Sequence, residues 1–394
     1  MYDAIVVGAR CAGSPTAMLL ARAGYRVLLL DRSTFPSDVL STHLIHQPGV
    51  AALARWGLLD RVRASGCPPL EHAVYEVADI RLEGCANGVE GQRAGYAPRR
   101  HVLDTLLVEA AVEAGAEFHG STTVTDLLYD DTGRVVGVAG RQEGRPFEAR
   151  AHLVVGADGM RSTVARLAGA RLTVEDPKLT CAYYAYWADV PAVFELYERP
   201  GAWVATVPTN DQATLVLTYF PQAQFPQVRA EAEHHYLEQV RTTAPALYER
   251  LRGGRRVERL RGTGDQQNFF RQAAGRGWVL VGDAGHHKDS ITARGISDAF
   301  WQVESLVRHV GDRLGGDPEL LDSALRAFEQ ERDQTLTEGY RATLGVAQLQ
   351  PHEQRLSLLR AVQSDPELTS TYFDMVAGIS TIRALYTPKL LSRL

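Results

Sequence analysis

Apolar and polar positions at the start of the chain change from the period of a strand to that of a helix and back. Residues 2–7 form a short apolar run that predicts a strand, and residues 12–23 carry apolar side chains at helical spacing. Residues 26–30 form a second apolar run, which ends at Asp31. A turn rich in Gly and Ala joins the first strand to the helix, so the chain is predicted to open with a β-α-β unit.

Further along, the pattern predicts a second sheet that is inserted into the first domain. The segments between residues 179 and 220 are β-rich and aromatic, and they predict an antiparallel sheet. Strands are also predicted near 257–262 and at 278–281, and the second of these leads back into a glycine turn. Helices are predicted at 101–114, 226–242, 295–310 and 318–344.

Composition narrows the class of protein. The chain has 394 residues, of which 45% are hydrophobic and 23% charged, as is typical of a globular protein. A net charge of -5 gives no reason to expect a nucleic-acid or anionic-membrane partner. No run of about 18 apolar residues is present, which predicts that nothing spans a membrane. The four cysteines form no CxxC pair, which predicts a reducing compartment and a cytoplasmic location.

The first candidate site is the turn Gly8-Ala9-Arg10-Cys11-Ala12-Gly13 between the opening strand and helix. Gly8 allows a tight turn, Gly13 lets the helix approach the strand, and the N–H groups at the helix start attract a pyrophosphate. A carboxylate at Asp31 can bond ribose hydroxyls. Arg10 replaces the usual middle glycine, and its guanidinium can contact the phosphate or line the pocket. Taken alone, the turn also fits an ordinary α/β protein.

Two further motifs follow predicted strands. They are Gly156-Ala157-Asp158-Gly159 and Gly282-Asp283-Ala284-Gly285, and the second is followed by Arg294-Gly295-Ile296. In this order the three motifs resemble those of the FAD-dependent flavoprotein monooxygenases of the para-hydroxybenzoate hydroxylase type and of the related geranylgeranyl reductases. The resemblance covers the whole chain.

The resemblance implies an α/β fold with a Rossmann-like FAD-binding domain of the GR2 type, an inserted antiparallel β-sheet substrate domain and a helical C-terminus. The FAD-binding domain is predicted at 1–70, 99–175 and 273–316, the substrate domain at 71–98 and 176–272, and the helical region at 317–394.

It also implies a set of cofactor-binding residues. Arg100 matches an Arg-x-x-Leu-Asp element at a helix start, Asp158 matches a motif that contacts both FAD and NAD(P)H, and Asp283 matches the aspartate that bonds the ribityl chain. The helix that begins near Gly295 would point its positive end at the flavin N1-C2=O edge. The full predicted set is Gly8, Arg10, Cys11, Ala12, Gly13, Asp31, Arg32, Arg100, Asp158, Gly282, Asp283, Gly295 and Ile296.

Four residues are candidates for the substrate pocket: His43, Tyr184, Tyr186 and Ser290. Relatives place the loop after Asp31 close to the flavin ring, and they usually have a proline near position 290. The alternatives are that this loop packs against the second domain and that the two tyrosines belong to the sheet core. His286 and His287 coincide with the FAD loop, so pocket lining is favoured over metal binding and no metal site is predicted.

The resemblance implies an NAD(P)H-dependent monooxygenase that oxygenates a small organic, secondary-metabolite substrate through a flavin C4a-hydroperoxide. NADPH or NADH would supply electrons directly, or a separate flavin reductase would. The alternatives are a geranylgeranyl reductase-type C=C reductase, an NAD-dependent Rossmann dehydrogenase and a non-catalytic binding protein. Halogenases of this fold need an N-terminal lysine, and this chain has none before Lys178.

Overall fold

A computed structural model describes residues 1–394 as an α/β protein with two large sheets and a helical C-terminus, which confirms the predicted fold class. The strands are β1 (Tyr2–Val7), β2 (Val27–Leu30), β3 (Pro69–Leu70), β4 (Ala73–Val77), β5 (Ile80–Gly84), β6 (Gly95–Tyr96), β7 (Glu117–His119), β8 (Thr122–Tyr129), β9 (Val135–Gln142), β10 (Arg145–Gly156), β11 (Leu172–Asp176), β12 (Thr180–Ala188), β13 (Phe194–Arg199), β14 (Ala202–Pro208), β15 (Thr214–Pro221), β16 (Arg255–Arg256), β17 (Arg261–Thr263), β18 (Asn268–Arg271), β19 (Ala274–Gly275), β20 (Trp278–Leu280) and β21 (His286–His287). The helices are α1 (Gly13–Arg22), α2 (Gln47–Arg55), α3 (Leu59–Ala64), α4 (Arg100–Glu113), α5 (Thr163–Leu167), α6 (Phe225–Ala230), α7 (Ala232–Thr243), α8 (Pro245–Gly253), α9 (Gly295–Val310), α10 (Pro318–Ala347), α11 (Glu353–Gln363), α12 (Pro366–Ala377), α13 (Ile382–Leu385) and α14 (Pro388–Leu391).

The first sheet has the strand order β19-β20-β10-β1-β2-β7, and all neighbours but β19 and β20 run parallel. Its central strands are apolar on both faces, as is typical of parallel sheets covered on both sides. Helices α1, α4 and α9 pack on one face, and the β8–β10 meander with α5 covers the other. The parallel strands therefore end together at one edge of the sheet.

The second sheet has the order β16-β12-β15-β14-β13-β4-β5, with β17 paired to β12. It is antiparallel as predicted, except that β4 pairs with β13 in parallel. Tyr184 and Tyr186 lie in one core of this sheet, and Tyr183 and Trp187 lie in the other, as their alternation predicts. Helices α7 and α8 cover one face, while α11 and α12 cover the other.

Two sequence-based predictions need correction here. The helix predicted at 226–242 is divided into α6 and α7, because Glu231 leaves the helical region at φ -131°, and Pro245 then starts α8. In place of the strand predicted near 257–262, two short strands, β16 and β17, flank residues 257–260, and each of them pairs with β12. No helix in the chain is both long and apolar enough to cross a bilayer. The domain boundaries drawn from the sequence remain predictions.

Candidate functional site

The three glycine-containing motifs follow three neighbouring strands. The Ala157 amide donates to the Val7 carbonyl at 2.8 Å, and the Val281 amide donates to the Gly156 carbonyl at 3.0 Å. Strands β1, β10 and β20 therefore end side by side, with the turns of Gly8, Asp158 and Asp283 at their carboxyl ends. This edge is where open α/β sheets bind ligands.

The first turn brings the start of α1 against the end of β1. Gly8 has a φ of +102°, and a Cβ built on Gly13 would lie 1.6 Å from the Gly8 carbonyl oxygen. The backbone N–H groups of residues 10–13 donate to no acceptor in the chain, so the positive end of α1 is open. This arrangement fits a pyrophosphate group.

Asp31 is held beside this turn. Its carboxylate accepts hydrogen bonds from the Ala9 amide at 2.8 Å and from the Ser33 amide at 2.7 Å. Each carboxylate oxygen keeps acceptor capacity, which suits a ribose hydroxyl. Arg32 follows with an exposed side chain.

A buried carboxylate that sequence analysis did not select connects several predicted residues. Asp104 is fully buried and accepts from Arg10 Nη1 at 2.6 Å, from Arg100 Nε at 3.0 Å and from the Cys11 thiol at 3.4 Å. The guanidinium that replaces the usual glycine is therefore turned toward α4 and stacks 5.4 Å from the ring centre of Phe35. Burial raises the pKa of Cys11, so its thiol stays protonated.

Asp158 uses its carboxylate within its own turn. One oxygen accepts from the Ser162 hydroxyl at 2.5 Å, and the other accepts from the amides of Thr163 and Val164 at 2.6 and 3.2 Å. These bonds cap α5. Contact between Asp158 and a cofactor stays a prediction.

Asp283 differs from Asp158, because its side chain is exposed and has no partner in the chain. It follows Gly282, which has a φ of +60°, in a short turn at the end of β20. Burial alone would lower the pKa of Arg100, but the acidic groups beside it, Cys11, Asp104 and Asp283, raise it. Asp283 is thus a free carboxylate near the other predicted cofactor residues.

We expect Asp283→Ala to weaken FAD binding about tenfold, the value of one or two lost hydrogen bonds to a bound ligand. Stability of the protein without FAD should hardly change, because Asp283 bonds to nothing else in the chain. Flavin titration by fluorescence quenching measures the first effect and urea unfolding the second. Asp312→Ala, at a side chain that is 99% exposed, is the control. Unchanged affinity for FAD would contradict the assignment.

The start of α9 forms a second open helix end. The amides of Gly295, Ile296 and Ser297 donate to no acceptor in the chain, while the Asp298 amide begins the helical pattern by bonding to Arg294. Gly295 is exposed and Ile296 is buried. These N–H groups can stabilise negative charge on a bound group.

A buried ion pair supports this helix start. Lys288 Nζ contacts Asp298 Oδ2, and the two side chains are only 5% and 7% exposed. Burial alone would raise the pKa of Asp298, but Lys288 and Arg294 outweigh burial and lower the pKa to about 2. Burial lowers the pKa of Lys288. Lys288 is therefore paired with Asp298 inside the protein.

The loop before α9 contains a second buried acid. Asp289 accepts from the Thr180 hydroxyl at 2.7 Å and from the Ile291 amide at 3.1 Å. Burial raises its pKa from 3.8 to about 6. The folded protein thus holds this proton more tightly than the unfolded chain, so the stabilising contribution is full below pH 4 and is lost as pH rises through 6.

We expect Asp289→Asn to stabilise the protein by up to about 3 kcal/mol at pH 8 and to have almost no effect at pH 4. The amide keeps the acceptor for Ile291, and the Thr180 hydroxyl can turn to accept from the new N–H. Urea unfolding at both pH values measures the difference from the unmodified protein. An equal effect at pH 4 and pH 8 would show that charge is not the cause.

A cavity of about 1100 Å³ lies between the second sheet and the C-terminal helices. Its walls are apolar and aromatic on the sheet side, with Trp203, Leu217 and Tyr219. Its lining also includes Thr42, His46, the loop 291–294 and Ser297 at the open start of α9. A molecule in this cavity would therefore reach the site where the resemblance places the flavin ring.

The predicted pocket residues lie in two places. His43 bonds through Nε2 to the Tyr186 hydroxyl, Arg99 stacks 4.2 Å from the Tyr186 ring centre, and Tyr184 lies edge-on to Tyr186. These residues do not line the large cavity. Ser290 bonds at 3.0 Å to the hydroxyl of Tyr219, which does line it. Burial lowers the pKa of His43 well below its usual value, so the imidazole is neutral.

Sequence analysis missed most of the cavity wall. Trp203 and Tyr219 are paired on neighbouring strands and face the same side of the sheet, and the aromatic residues of the two predicted strands were a usable signal. Arg355, which comes from α11, had no signal, because nothing in the local pattern places that helix over the sheet.

Together these residues fit FAD. Two open helix ends, at α1 and α9, suit its pyrophosphate and its electron-rich ring edge, and Asp31 and Asp283 offer acceptors for ribose and ribityl hydroxyls. The role of each residue remains a prediction.

Comparison with known proteins agrees with this site. The family described as "FAD binding domain" matches residues 1–338. A digeranylgeranylglycerophospholipid reductase from Methanocella arvoryzae is 29% identical over 307 residues, 76% of this chain and 74% of that protein. A 12-dehydrotetracycline 5-monooxygenase/anhydrotetracycline 6-monooxygenase from Streptomyces rimosus is 28% identical over 348 residues, 84% of this chain and 66% of that protein.

The fold is likewise found among solved structures. The flavin-dependent brominase Bmp2 superposes with a TM-score of 0.83 at 17% identity, covering 100% of this chain and 97% of that one. At this identity the likeness concerns the fold alone. The family match confirms the resemblance drawn from the three motifs and the predicted cofactor, and the chain belongs to the FAD-binding domain family of FAD-dependent oxidoreductases.

Proposed function

We propose that the protein is a monooxygenase that consumes O2 and NADPH or NADH and inserts one oxygen atom into a large, mostly apolar organic molecule. The second oxygen atom leaves as water, and the nicotinamide supplies the two electrons. The observation that carries this proposal is the cavity of about 1100 Å³, whose lining includes the loop 291–294 and Ser297 at the open start of α9. Similarity to a tetracycline monooxygenase supports the reaction type.

Each part of the site has a task in this reaction. Bound FAD supplies the redox and oxygen-transfer chemistry. The free amides of residues 295–297 hold negative charge at the ring edge, and the buried Lys288–Asp298 pair fixes the helix that carries them. The apolar wall around Trp203 and Tyr219 orients the substrate and excludes water.

A spectrum of the purified protein followed by turnover tests the proposal. The protein is titrated anaerobically with NADPH or NADH and then mixed with isotopically labelled O2 and a panel of fused-ring phenols. We expect a flavin spectrum, bleaching by the nicotinamide, and a product that carries one labelled oxygen atom. A protein that binds FAD but incorporates no label into any phenol, while hydrogenating geranylgeraniol, would contradict the monooxygenase assignment.

The second candidate is a reductase of C=C bonds. It is favoured by the digeranylgeranylglycerophospholipid reductase that matches over 76% of this chain. The apolar cavity would also hold an isoprenoid chain. Geranylgeraniol incubated with reduced protein without O2 would then gain two hydrogen atoms.

Electron supply and location are part of the proposal. A direct reaction with NADPH or NADH would bleach the flavin in the anaerobic titration, whereas dependence on a separate flavin reductase would leave it yellow.

The four free cysteines support a cytoplasmic location.

A further inference from the structure

Three side chains form a row across neighbouring strands of the second sheet, and two of them, Tyr219 and Trp203, line the cavity. Tyr219 on β15 is paired with Trp203 on β14, which is paired with Glu198 on β13. Neighbouring strands lie about 4.8 Å apart, so Glu198 is about 10 Å from Tyr219. Because Tyr219 bonds to Ser290 in the loop before α9, Glu198 marks the end of the row that is farther from that loop.

Arg355 covers this far end. Its Nη1 and Nη2 donate to the two carboxylate oxygens of Glu198, both at 2.9 Å, and Nη2 also donates to the Tyr75 hydroxyl. Glu198 is fully buried, whereas Arg355 is 26% exposed and lines the cavity. The pair fixes the guanidinium in place and balances its charge.

The guanidinium keeps an unused donor. Arginine has five N–H groups; those of Arg355 donate twice to Glu198 and once to the Tyr75 hydroxyl, and the Tyr372 hydroxyl beside the guanidinium can accept a fourth bond. At least one N–H group is therefore left without an acceptor in the chain. The cavity wall beside it is apolar or aromatic, with Leu358 and Tyr372. A bound molecule that displaces water from this wall must offer an acceptor to keep the donor satisfied. Since Glu198 already neutralises the charge, that acceptor need not be an anion.

We propose that Arg355 determines specificity by binding an uncharged acceptor oxygen, a ketone or quinone carbonyl, at the end of the substrate opposite the reacting carbon. This inference rests on the proposed function, which places the reacting carbon at the loop before α9. The substrate is then a flat or extended apolar molecule whose carbonyl lies about 10 Å from the reacting end.

The test compares two probes of nearly equal shape, 2-acetylanthracene and 2-ethylanthracene, on the FAD-loaded protein. Only the first has a carbonyl oxygen. Equilibrium dialysis should show that the unmodified protein binds 2-acetylanthracene about tenfold more tightly, as expected for a hydrogen bond from a charged donor. Arg355→Leu should reduce the ratio of the two affinities to about one.

Two variants separate recognition from folding. Arg355→Leu leaves Glu198 buried without its partner, so Arg355→Leu/Glu198→Gln removes that charge and should also give a ratio near one. Arg360→Leu, on the same helix but paired with Asp79 at the surface, should keep the ratio of the unmodified protein. A ratio near one in the unmodified protein, or a retained ratio in the double variant, would overturn the inference.

Oxygenation is assayed separately on the same preparations. A protein that distinguishes the probes but incorporates no oxygen would contradict the proposed function and not the binding site. A protein that oxygenates fused-ring phenols but binds both probes equally would contradict the role of Arg355 alone.

Discussion

Replacing Gly13 with alanine is expected to abolish FAD retention and to destabilise the folded protein by about 3 kcal/mol or more. The added Cβ would lie 1.6 Å from the Gly8 carbonyl oxygen and 2.8 Å from its carbon, which are backbone atoms with no rotamer to change. Helix α1 would have to move away from β1, and its free amides would move with it. Flavin absorbance of the purified variant and its urea unfolding curve measure both effects.

Gly253→Ala is the matched control for this prediction. Gly253 lies at the end of α8, its φ is not positive, and a Cβ there would meet nothing within 4 Å. We expect its stability to stay within about 0.5 kcal/mol of the unmodified protein, with full flavin content. A yellow, stable Gly13→Ala protein would show that α1 and β1 leave room for a side chain at Gly13.

Asp298→Ala is expected to cost about 3–5 kcal/mol, because it leaves Lys288 buried without its partner. Lys288 is only 5% exposed, so its ammonium group would stay in a buried site. Arg294, whose Nη2 lies 3.6 Å from Asp298, would lose this opposite charge as well. The free energy of unfolding in urea at pH 7 is the measurement.

The double variant Lys288→Met/Asp298→Leu tests the cause. It removes both charges and fills the space with apolar side chains, which commonly recovers the loss or more. If the double variant is as unstable as Asp298→Ala, the loss of stability comes from the altered packing at this position and not from the unpaired charge of Lys288. Its flavin content shows whether Lys288 acts on the cofactor site only by supporting α9.

Sequence analysis located the strand-end turns because they depend on local pattern. An apolar run followed by glycine predicts a strand and a tight turn, and the turns of Gly8, Asp158 and Asp283 do end neighbouring strands. The helices from residue 295 onward were also found, since α9 and α10 are long and separated by a glycine–proline segment.

The contacts that complete the site could not be predicted, because they join distant segments. Asp104 meets Arg10 across 94 positions, and Arg355 meets Glu198 across 157. The spacing of apolar residues along the chain does not indicate which helix covers which face of a sheet. For the same reason the sequence could not show that His43 and Tyr186, both predicted in the substrate pocket, bond to each other and do not line the large cavity.

The parallel pairing of β4 with β13 has a consequence for biosynthesis. Strand β4 leaves the ribosome with residues 73–77, but its partner begins at residue 194. At about 5–20 residues per second, translation separates the two by on the order of ten seconds. Until then the β4–β5 hairpin presents an unpaired edge on the nascent chain, the stretch that a chaperone would be most needed to shield.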